Sequence, residues 1–257
     1  MKKVLLIILC YLSLLPAESR YRIHEGSKKL AVVVHGIADK PYMMWRIEKN
    51  LHEAGYSVFN FDYASTKWSM DSTITILDTA IDSIISQYDS LYFVVHSLGT
   101  FVIRGYLSEH SKPKFKNLVM ISPPNNGSII AERFEDIKLF EWRFGDAGQK
   151  LGKGHDDYWR TFPVPQIPFG IIAGGTGTKY GLNPLIPGDD DGVVGVQETI
   201  LDGYADFIVL PGLHSSLLWQ NEVIEQIIYF LSHEKFYKSD SILNNTPPEN
   251  ENTQSFQ

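Results

Sequence analysis

Three residue types needed for catalysis by a serine nucleophile occur in this sequence in the order Ser97, Asp191 and His214. A serine hydroxyl attacks a carbonyl group at neutral pH only when a base takes its proton, and an acid must orient that base. Histidine and aspartate are the usual base and acid. The chemistry that these three residues could perform is therefore acyl transfer through a covalent intermediate on the serine.

Ser97 lies within residues 95–99 (VHSLG), between a predicted strand and a predicted helix. A sharp turn at such a junction holds the hydroxyl clear of the sheet. It also places the N–H of Leu98 at the start of a helix, where it can stabilise an oxyanion. The N–H of Ile37, in the loop after the first predicted strand, is the candidate for the second oxyanion donor, because Gly36 lets the backbone approach.

His214 is the best placed of the eight histidines, because it follows the last predicted strand and precedes the last predicted helix. Loops at the C-terminal ends of parallel strands meet at one edge of a sheet, so this loop can approach Ser97. His96 adjoins the serine but is expected to point away from it. Five further histidines are interpreted as surface or packing residues: His24, His52, His110, His155 and His233.

Asp191 is the preferred acid, since it lies on a loop between the fifth and sixth predicted strands. Asp189 and Asp190 are interpreted as a solvated acidic turn, because the spaced oxygen ligands of a dedicated calcium loop are missing. Asp202 and Asp206 are weaker candidates for the acid. Asp206 starts a strand and would lie at the wrong end of the sheet.

Apolar segments that alternate between two periodicities predict the elements that position these residues. Strands are predicted at 30–34, 56–61, 91–95, 118–121, 169–173 and 207–210, and helices over 44–51, 74–85, 98–107 and 217–231. This alternation predicts an α/β fold with a mostly parallel central sheet and helices on both faces.

Residues 128–168 do not fit the alternation. Apolar residues at helical spacing predict a helical insertion there, and several large aromatic residues accompany them. The insertion could cover an apolar substrate as a lid, or its aromatic residues could simply pack it onto the body of the protein. The sequence leaves both interpretations open.

Composition limits the class of protein and its partners. The chain has 257 residues, 44% of them apolar, which is enough for a sizeable core, and one domain is expected over residues 28–235. The net charge is -7 and Lys and Arg are not clustered, so nucleic acid is excluded as a partner. Residues 236–257 are too polar to bury themselves and are predicted to be a disordered tail.

The N-terminus has the layout of a secretory signal peptide over residues 1–17, with two lysines, a short apolar stretch and a helix-breaking Pro16. An uncleaved membrane anchor is the alternative interpretation. Cys10 is the only cysteine and lies within this segment, so the mature chain would hold no thiol nucleophile and no disulfide. The sequence therefore predicts export to the periplasm or the exterior.

Taken together, these features resemble the α/β-hydrolase superfamily, in its bacterial lipase and esterase branch. The serine, acid and histidine follow that superfamily's order, and residues 35–37 and 96–99 look like its oxyanion loop and nucleophile elbow. Residues 123–128 (PPNNGS) are similar to a Pro-x-x-Gly-Ser motif of these lipases, and residues 191–194 to their acid-bearing turn. The likeness covers about residues 28–232, and the departure from it is Val95, where glycine is usual.

The resemblance implies the α/β-hydrolase fold and a serine hydrolase that cleaves carboxylic esters. In that role Ser97 attacks the carbonyl, His214 relays the proton, Asp191 orients the histidine, and the N–H groups of Leu98 and Ile37 hold the oxyanion. No metal and no organic cofactor is implied. The expected partner is an ester substrate, with lipid esters among the candidates, and a lipid ester would bring transient contact with a membrane surface.

Two other functions fit the same residues. An acyltransferase would use the same triad with an alcohol or an amine in place of water, and a non-catalytic binding protein could retain the fold without turnover. The acyl chain length and the oligomeric state are not set by the sequence.

Overall fold

A computed structural model describes residues 21–111, 113–152 and 158–237 of the chain. The predicted signal peptide, His155 and nearly all of the predicted tail lie outside these residues. Within them, one sheet is formed by β1 (Tyr21–His24), β2 (Lys29–Val34), β3 (Ser57–Phe61), β4 (Ser90–His96), β5 (Phe115–Ile121), β6 (Phe169–Gly175) and β7 (Asp206–Pro211).

Seven α-helices accompany this sheet in the described residues. They are α1 (Trp45–Glu53), α2 (Met70–Ile84), α3 (Gly99–Glu109), α4 (Ile129–Phe134), α5 (Lys138–Lys150), α6 (Val196–Thr199) and α7 (Asn221–His233). Short 3-10 helices cover Pro41–Met44, Ile85–Gln87, Tyr158–Thr161 and Ser216–Trp219. In this part of the chain, no helix combines the length and the apolar character needed to cross a bilayer.

The strand order is β1-β3-β2-β4-β5-β6-β7. The six strands from β2 to β7 are parallel, as the alternation of elements predicts, and β1 pairs antiparallel with the edge of β3. The sequence analysis missed β1, because four residues with polar members carry little periodic signal. The C-terminal ends of the parallel strands share one edge of the sheet, and the loops that leave them therefore converge.

Alternate residues of each strand face two separate apolar layers. In β2, Val32 and Val34 point into the layer covered by α2 and α3, whereas Ala31 and Val33 point into the layer covered by α1 and α7. All four side chains are fully buried. Burial on both faces explains why the strand is a continuous apolar run.

The helix α2 shows how the sequence sets an element and its packing. The Ser69 side chain accepts a hydrogen bond from the N–H of Ser72 and caps the first turn. From there, Ile74, Leu77 and Ile81 form one buried stripe against the sheet. The cap moves the start of the helix four residues ahead of its predicted start.

The packed part of the chain extends beyond both predicted limits of the domain. At the start, β1 precedes residue 28. At the end, Phe236 falls in the predicted tail, yet it is only 2% exposed and its ring lies 4.9 Å from that of Phe230. The N–H of Phe236 also donates to the Asp206 carboxylate at 2.9 Å. The carboxylate of Asp206 thus binds the backbone of the segment after α7, at the edge of the sheet opposite the converging loops.

The insertion is helical, and its aromatic residues divide into two groups. Trp159 and Phe162 are buried against α2 and α3, whereas Trp142 on α5 is 79% exposed. A kink interrupts α5 at Gly145, whose φ of 61° favours glycine. A Cβ atom there would lie 2.2 Å from the Thr66 carbonyl oxygen, so close contact with the loop after β3 also requires glycine.

Candidate active site

Ser97 occupies a strained turn between β4 and α3. Its φ is 50°, a left-handed conformation that non-glycine residues rarely adopt, and such strain, of about 1–3 kcal/mol, clusters at functional sites. The Ser97 N–H donates to the Ile121 carbonyl at 3.0 Å, which fixes the turn to β5. A Cβ atom on Gly99 would lie 2.8 Å from the carbonyl oxygens of Val34 and His35, so only glycine lets α3 start this close to β2.

His214 and Asp191 form a close acid–base pair on the loops after β7 and β6. The Nδ1 atom of His214 lies 2.7 Å from Oδ2 of Asp191, and the backbone N–H of His214 donates to the Asp191 carbonyl at 2.9 Å. Oδ1 of Asp191 accepts hydrogen bonds from the N–H groups of Val193 and Val194 at 3.0 and 2.8 Å. One carboxylate oxygen is therefore left for the histidine.

The electrostatics of Asp191 favour its ionised form. Burial alone would raise the pKa of this carboxyl, but the neighbouring His214 and the hydrogen bonds from His214 and Val194 lower the pKa below its ordinary value. A buried carboxylate that stays ionised can hold the Nδ1–H tautomer of His214. The Nε2 atom of His214 is then free to act as a base.

His96, the residue before the serine, lies between the turn at Ser97 and the pair formed by His214 and Asp191. His96 is fully buried, and its ring centroid lies 4.6 Å from that of His214, with the two planes tilted by 44°. The sequence analysis missed this contact between His96 and the predicted base. The hydroxyl of Ser97 makes no hydrogen bond to His214 among the described residues; such catalytic contacts are often long without substrate and tighten when it binds.

The loop after β2 carries the predicted oxyanion donor and is held by the loop after β3. The Tyr63 hydroxyl donates to the His35 carbonyl at 2.8 Å, and Tyr63 also stacks on the His35 ring at 4.4 Å. The N–H of Ala38 donates to Oγ of Ser65 at 2.9 Å. Among the described residues, the N–H groups of Ile37 and Leu98 donate to no other group. The sequence analysis did not predict these contacts from Tyr63 and Ser65.

The three consecutive aspartates have three different environments. Asp190 is fully buried and accepts hydrogen bonds from Asn183 and Gly192, so its interpretation as part of a solvated turn is wrong. Asp189 accepts from the backbone of Thr176 and Gly177 and is half-buried. Both therefore organise the long loop after β6 that presents Asp191. In the described ranges, no group of three His, Cys, Asp or Glu side chains is arranged to hold a metal ion.

Two further polar positions support the site, one of them within the motif at residues 123–128. Ser122, at the end of β5, has a φ of 43°, and its hydroxyl accepts a hydrogen bond from the N–H of Gly174 at 3.2 Å. In the motif at residues 123–128, the Asn125 side chain donates to the Thr199 carbonyl at 2.8 Å. The motif thus ties the end of β5 to the segment that follows the acid loop.

Comparison with known proteins identifies the fold. No protein-family model and no curated protein matches the sequence. A lipase from Bacillus licheniformis in its mature form superposes with a TM-score of 0.67 and 16% sequence identity, covering 82% of this chain and 97% of that one. The monoacylglycerol lipase of Paleococcus ferrophilus gives 0.58 and 15%, over 83% and 98% of the two chains.

The bromoperoxidase of Bacillus anthracis matches with a TM-score of 0.57 and 15% identity, over 82% of this chain and 94% of that one. Proteins named for different activities thus share this architecture, so the likeness establishes the fold and does not establish the activity. The predicted fold class, an α/β-hydrolase fold, is confirmed.

Proposed function

We propose that this chain, which has the α/β-hydrolase fold, is a serine hydrolase that cleaves carboxylic esters through an acyl-enzyme on Ser97. One observation carries the proposal: the 2.7 Å contact between His214 and the buried Asp191, at the same edge of the sheet as the strained Ser97. The proposed roles are nucleophile for Ser97, base for His214 and orienting acid for Asp191. The N–H groups of Ile37 and Leu98 form the proposed oxyanion hole.

The reaction proceeds in two halves. Nε2 of His214 takes the proton of Ser97 as Oγ bonds to the ester carbonyl carbon, and the two N–H groups receive the charge that develops on the carbonyl oxygen. His214 then gives its proton to the departing alcohol, which leaves the acyl group on Oγ. Water, deprotonated by the same histidine, releases the acid and restores the serine.

A crevice beside Leu98 supports an apolar acyl chain in the substrate. The crevice is narrow, and its apolar walls come from Met70, Phe101 and Trp159 and from Ala147 and Leu151 at the C-terminal end of α5. Asp146, Lys150 and Tyr158 complete its lining. An ester carbonyl held by the Leu98 N–H would have its acyl chain at the mouth of this crevice. Because α5 supplies one wall, we assign the insertion the role of a lid that moves when the chain enters.

Exposed apolar residues around the same edge fit a lipid substrate and transient contact with a membrane surface. Leu213, next to the catalytic histidine, is 58% exposed, and Trp142 and Trp219 are also exposed. The lipases among the structural neighbours make lipid esters a natural substrate class to propose. Export through residues 1–17 would bring the enzyme to such substrates outside the cytoplasm.

The test of the function is covalent labelling with a fluorophosphonate, read by intact mass. This probe reacts with a serine activated by a base and an oxyanion hole, and it requires no knowledge of the natural ester. We expect one adduct on the wild-type protein, none on Ser97→Ala, and an unchanged adduct on Ser232→Ala, which removes an exposed hydroxyl of α7. His214→Ala should abolish ester turnover and leave the circular dichroism spectrum unchanged.

No adduct on a folded wild-type protein would refute the proposal and leave the non-catalytic binding role. Initial rates on p-nitrophenyl esters of increasing chain length then test the substrate class. A preference for acyl chains below four carbons would contradict the lipid assignment. Product analysis with an added alcohol or amine distinguishes hydrolysis from acyl transfer.

A further inference from the structure

His96 is a buried ionisable side chain that the proposed triad does not use. It is fully buried at the end of β4, where its ring packs on that of His214 with centroids 4.6 Å apart. On its other side, Nδ1 of His96 lies 3.6 Å from Oδ2 of Asp39, in the loop after β2. Four groups thus form a continuous row from Asp39 through His96 and His214 to Asp191.

The hydrogen-bonding state of His96 points to Asp39 as its partner. Neither ring nitrogen of His96 has a hydrogen-bond partner within 3.5 Å among the described residues, and leaving a buried N–H unpaired is costly. Asp39 is the carboxylate that stands next to Nδ1, 0.1 Å beyond that limit. A small movement of the loop that also carries Ile37 would close this contact, as occurs when catalytic hydrogen bonds tighten around substrate.

We propose that His96 and Asp39 form a second imidazole–carboxylate pair, which positions His214 and stabilises the positive charge that it gains during catalysis. This inference rests on the triad proposed above. His214 becomes an imidazolium when it takes the Ser97 proton, and it then lies between two carboxylates, Asp191 in direct contact and Asp39 beyond the His96 ring. Both are positioning residues in this row, as is His96.

The charges of the row agree with these roles. Burial alone would raise the pKa of Asp39, but the nearby imidazoles of His96, His35 and His214 lower it below its ordinary value. Burial lowers the pKa of His96, although Asp39 and Asp191 act in the opposite direction. At neutral pH the row therefore has anionic ends, with a neutral His96 beside the base. Outside the row, the charges of Asp39, Asp62 and Lys40 act on His35.

The experiment measures kcat and KM of the full chain on a soluble p-nitrophenyl ester between about pH 5 and 9. The variants are Asp39→Asn, His96→Phe, which keeps a ring against His214, and the double variant. Asp62→Asn is the matched control. It also removes a carboxylate near this loop, but the charge of Asp62 acts on His35 and is not among those that act on His96. Melting temperatures of all variants show whether they are folded.

We expect Asp39→Asn to lower kcat by roughly ten-fold with little change in KM, because the variant loses a charge that stabilises the imidazolium of His214 only in the transition state. The acid limb of the kcat profile should move to lower pH, because the removed carboxylate favours the protonated base. His96→Phe should act in the same direction, and the double variant should be no slower than the worse single variant, since both act as one unit.

An acid limb that does not move in Asp39→Asn would overturn the inference, since a purely structural role lowers the rate without moving the limb. An equal change in Asp62→Asn would also overturn it. Failure of the proposed function looks different, because the wild-type protein would then lack both ester turnover and fluorophosphonate labelling.

Discussion

The sharpest test of the site is Asp191→Asn, because the structure shows what each oxygen of this carboxylate does. Oδ1 accepts two backbone hydrogen bonds, from Val193 and Val194, and Oδ2 binds Nδ1 of His214. In the variant, the amide oxygen keeps the two backbone donors, and the amide NH2 therefore turns to His214. An NH2 group requires Nδ1 to be an acceptor, which places the ring proton on Nε2, where it blocks proton transfer from Ser97.

The size of the effect follows from the contact between Asp191 and His214. Two unit charges about 4 Å apart gain about 4 kcal/mol at an effective dielectric constant of about 20. Lost from the transition state, this corresponds to about a thousand-fold in rate, at roughly 1.4 kcal/mol per tenfold. The wrong tautomer acts in the same direction, so we expect kcat to fall by about 10³- to 10⁴-fold.

The assay is kcat at saturating ester near pH 8, with the fold checked by circular dichroism. Asp202→Asn is the control, since it neutralises an exposed aspartate that the sequence left as a weaker candidate for the acid. A variant of Asp191 that retains more than about a tenth of the wild-type kcat would refute the assignment of this residue. So would an equal loss in the control.

Two further predictions concern the turn and the buried histidines. Gly99→Ala places a Cβ atom 2.8 Å from the carbonyl oxygens of Val34 and His35, so we expect a loss of about 1–3 kcal/mol of unfolding free energy and a lower kcat, as the Leu98 N–H is displaced. Urea unfolding that matches the wild type would contradict this. Burial lowers the pKa of His35 and His96 from the ordinary value of 6.5, so the unfolded chain binds more protons than the folded chain below that pH. The free energy of unfolding is therefore unaffected by these two histidines above about pH 6.5. It falls as the pH drops from about 6.5 towards their lowered pKa values, by up to about 1.4 kcal/mol per pH unit for each histidine. An unfolding free energy that stays constant between pH 7.5 and pH 5 would show that these histidines are not held neutral.

Local patterns predicted the elements of the fold because each pattern reports on its own surroundings. A strand buried on both faces must be apolar at every position, as Ala31 to Val34 are, and such a run is visible without knowledge of its neighbours. The edge strand β1 is different. Its partner β3 is more than thirty residues away, and its four residues carry no periodic signal of their own.

The candidate site also has features that the sequence predicts and features that only the tertiary structure shows. The sequence by itself determined which residues follow the ends of the strands, and with them the order of Ser97, Asp191 and His214, because chain order and element type are local properties. Only the tertiary structure decided that Asp190 is buried and that His96 lies between His214 and Asp39. The reason is physical: hydrogen bonds and ring contacts between loops after different strands depend on strand order, twist and loop path, which arise when the whole sheet is assembled.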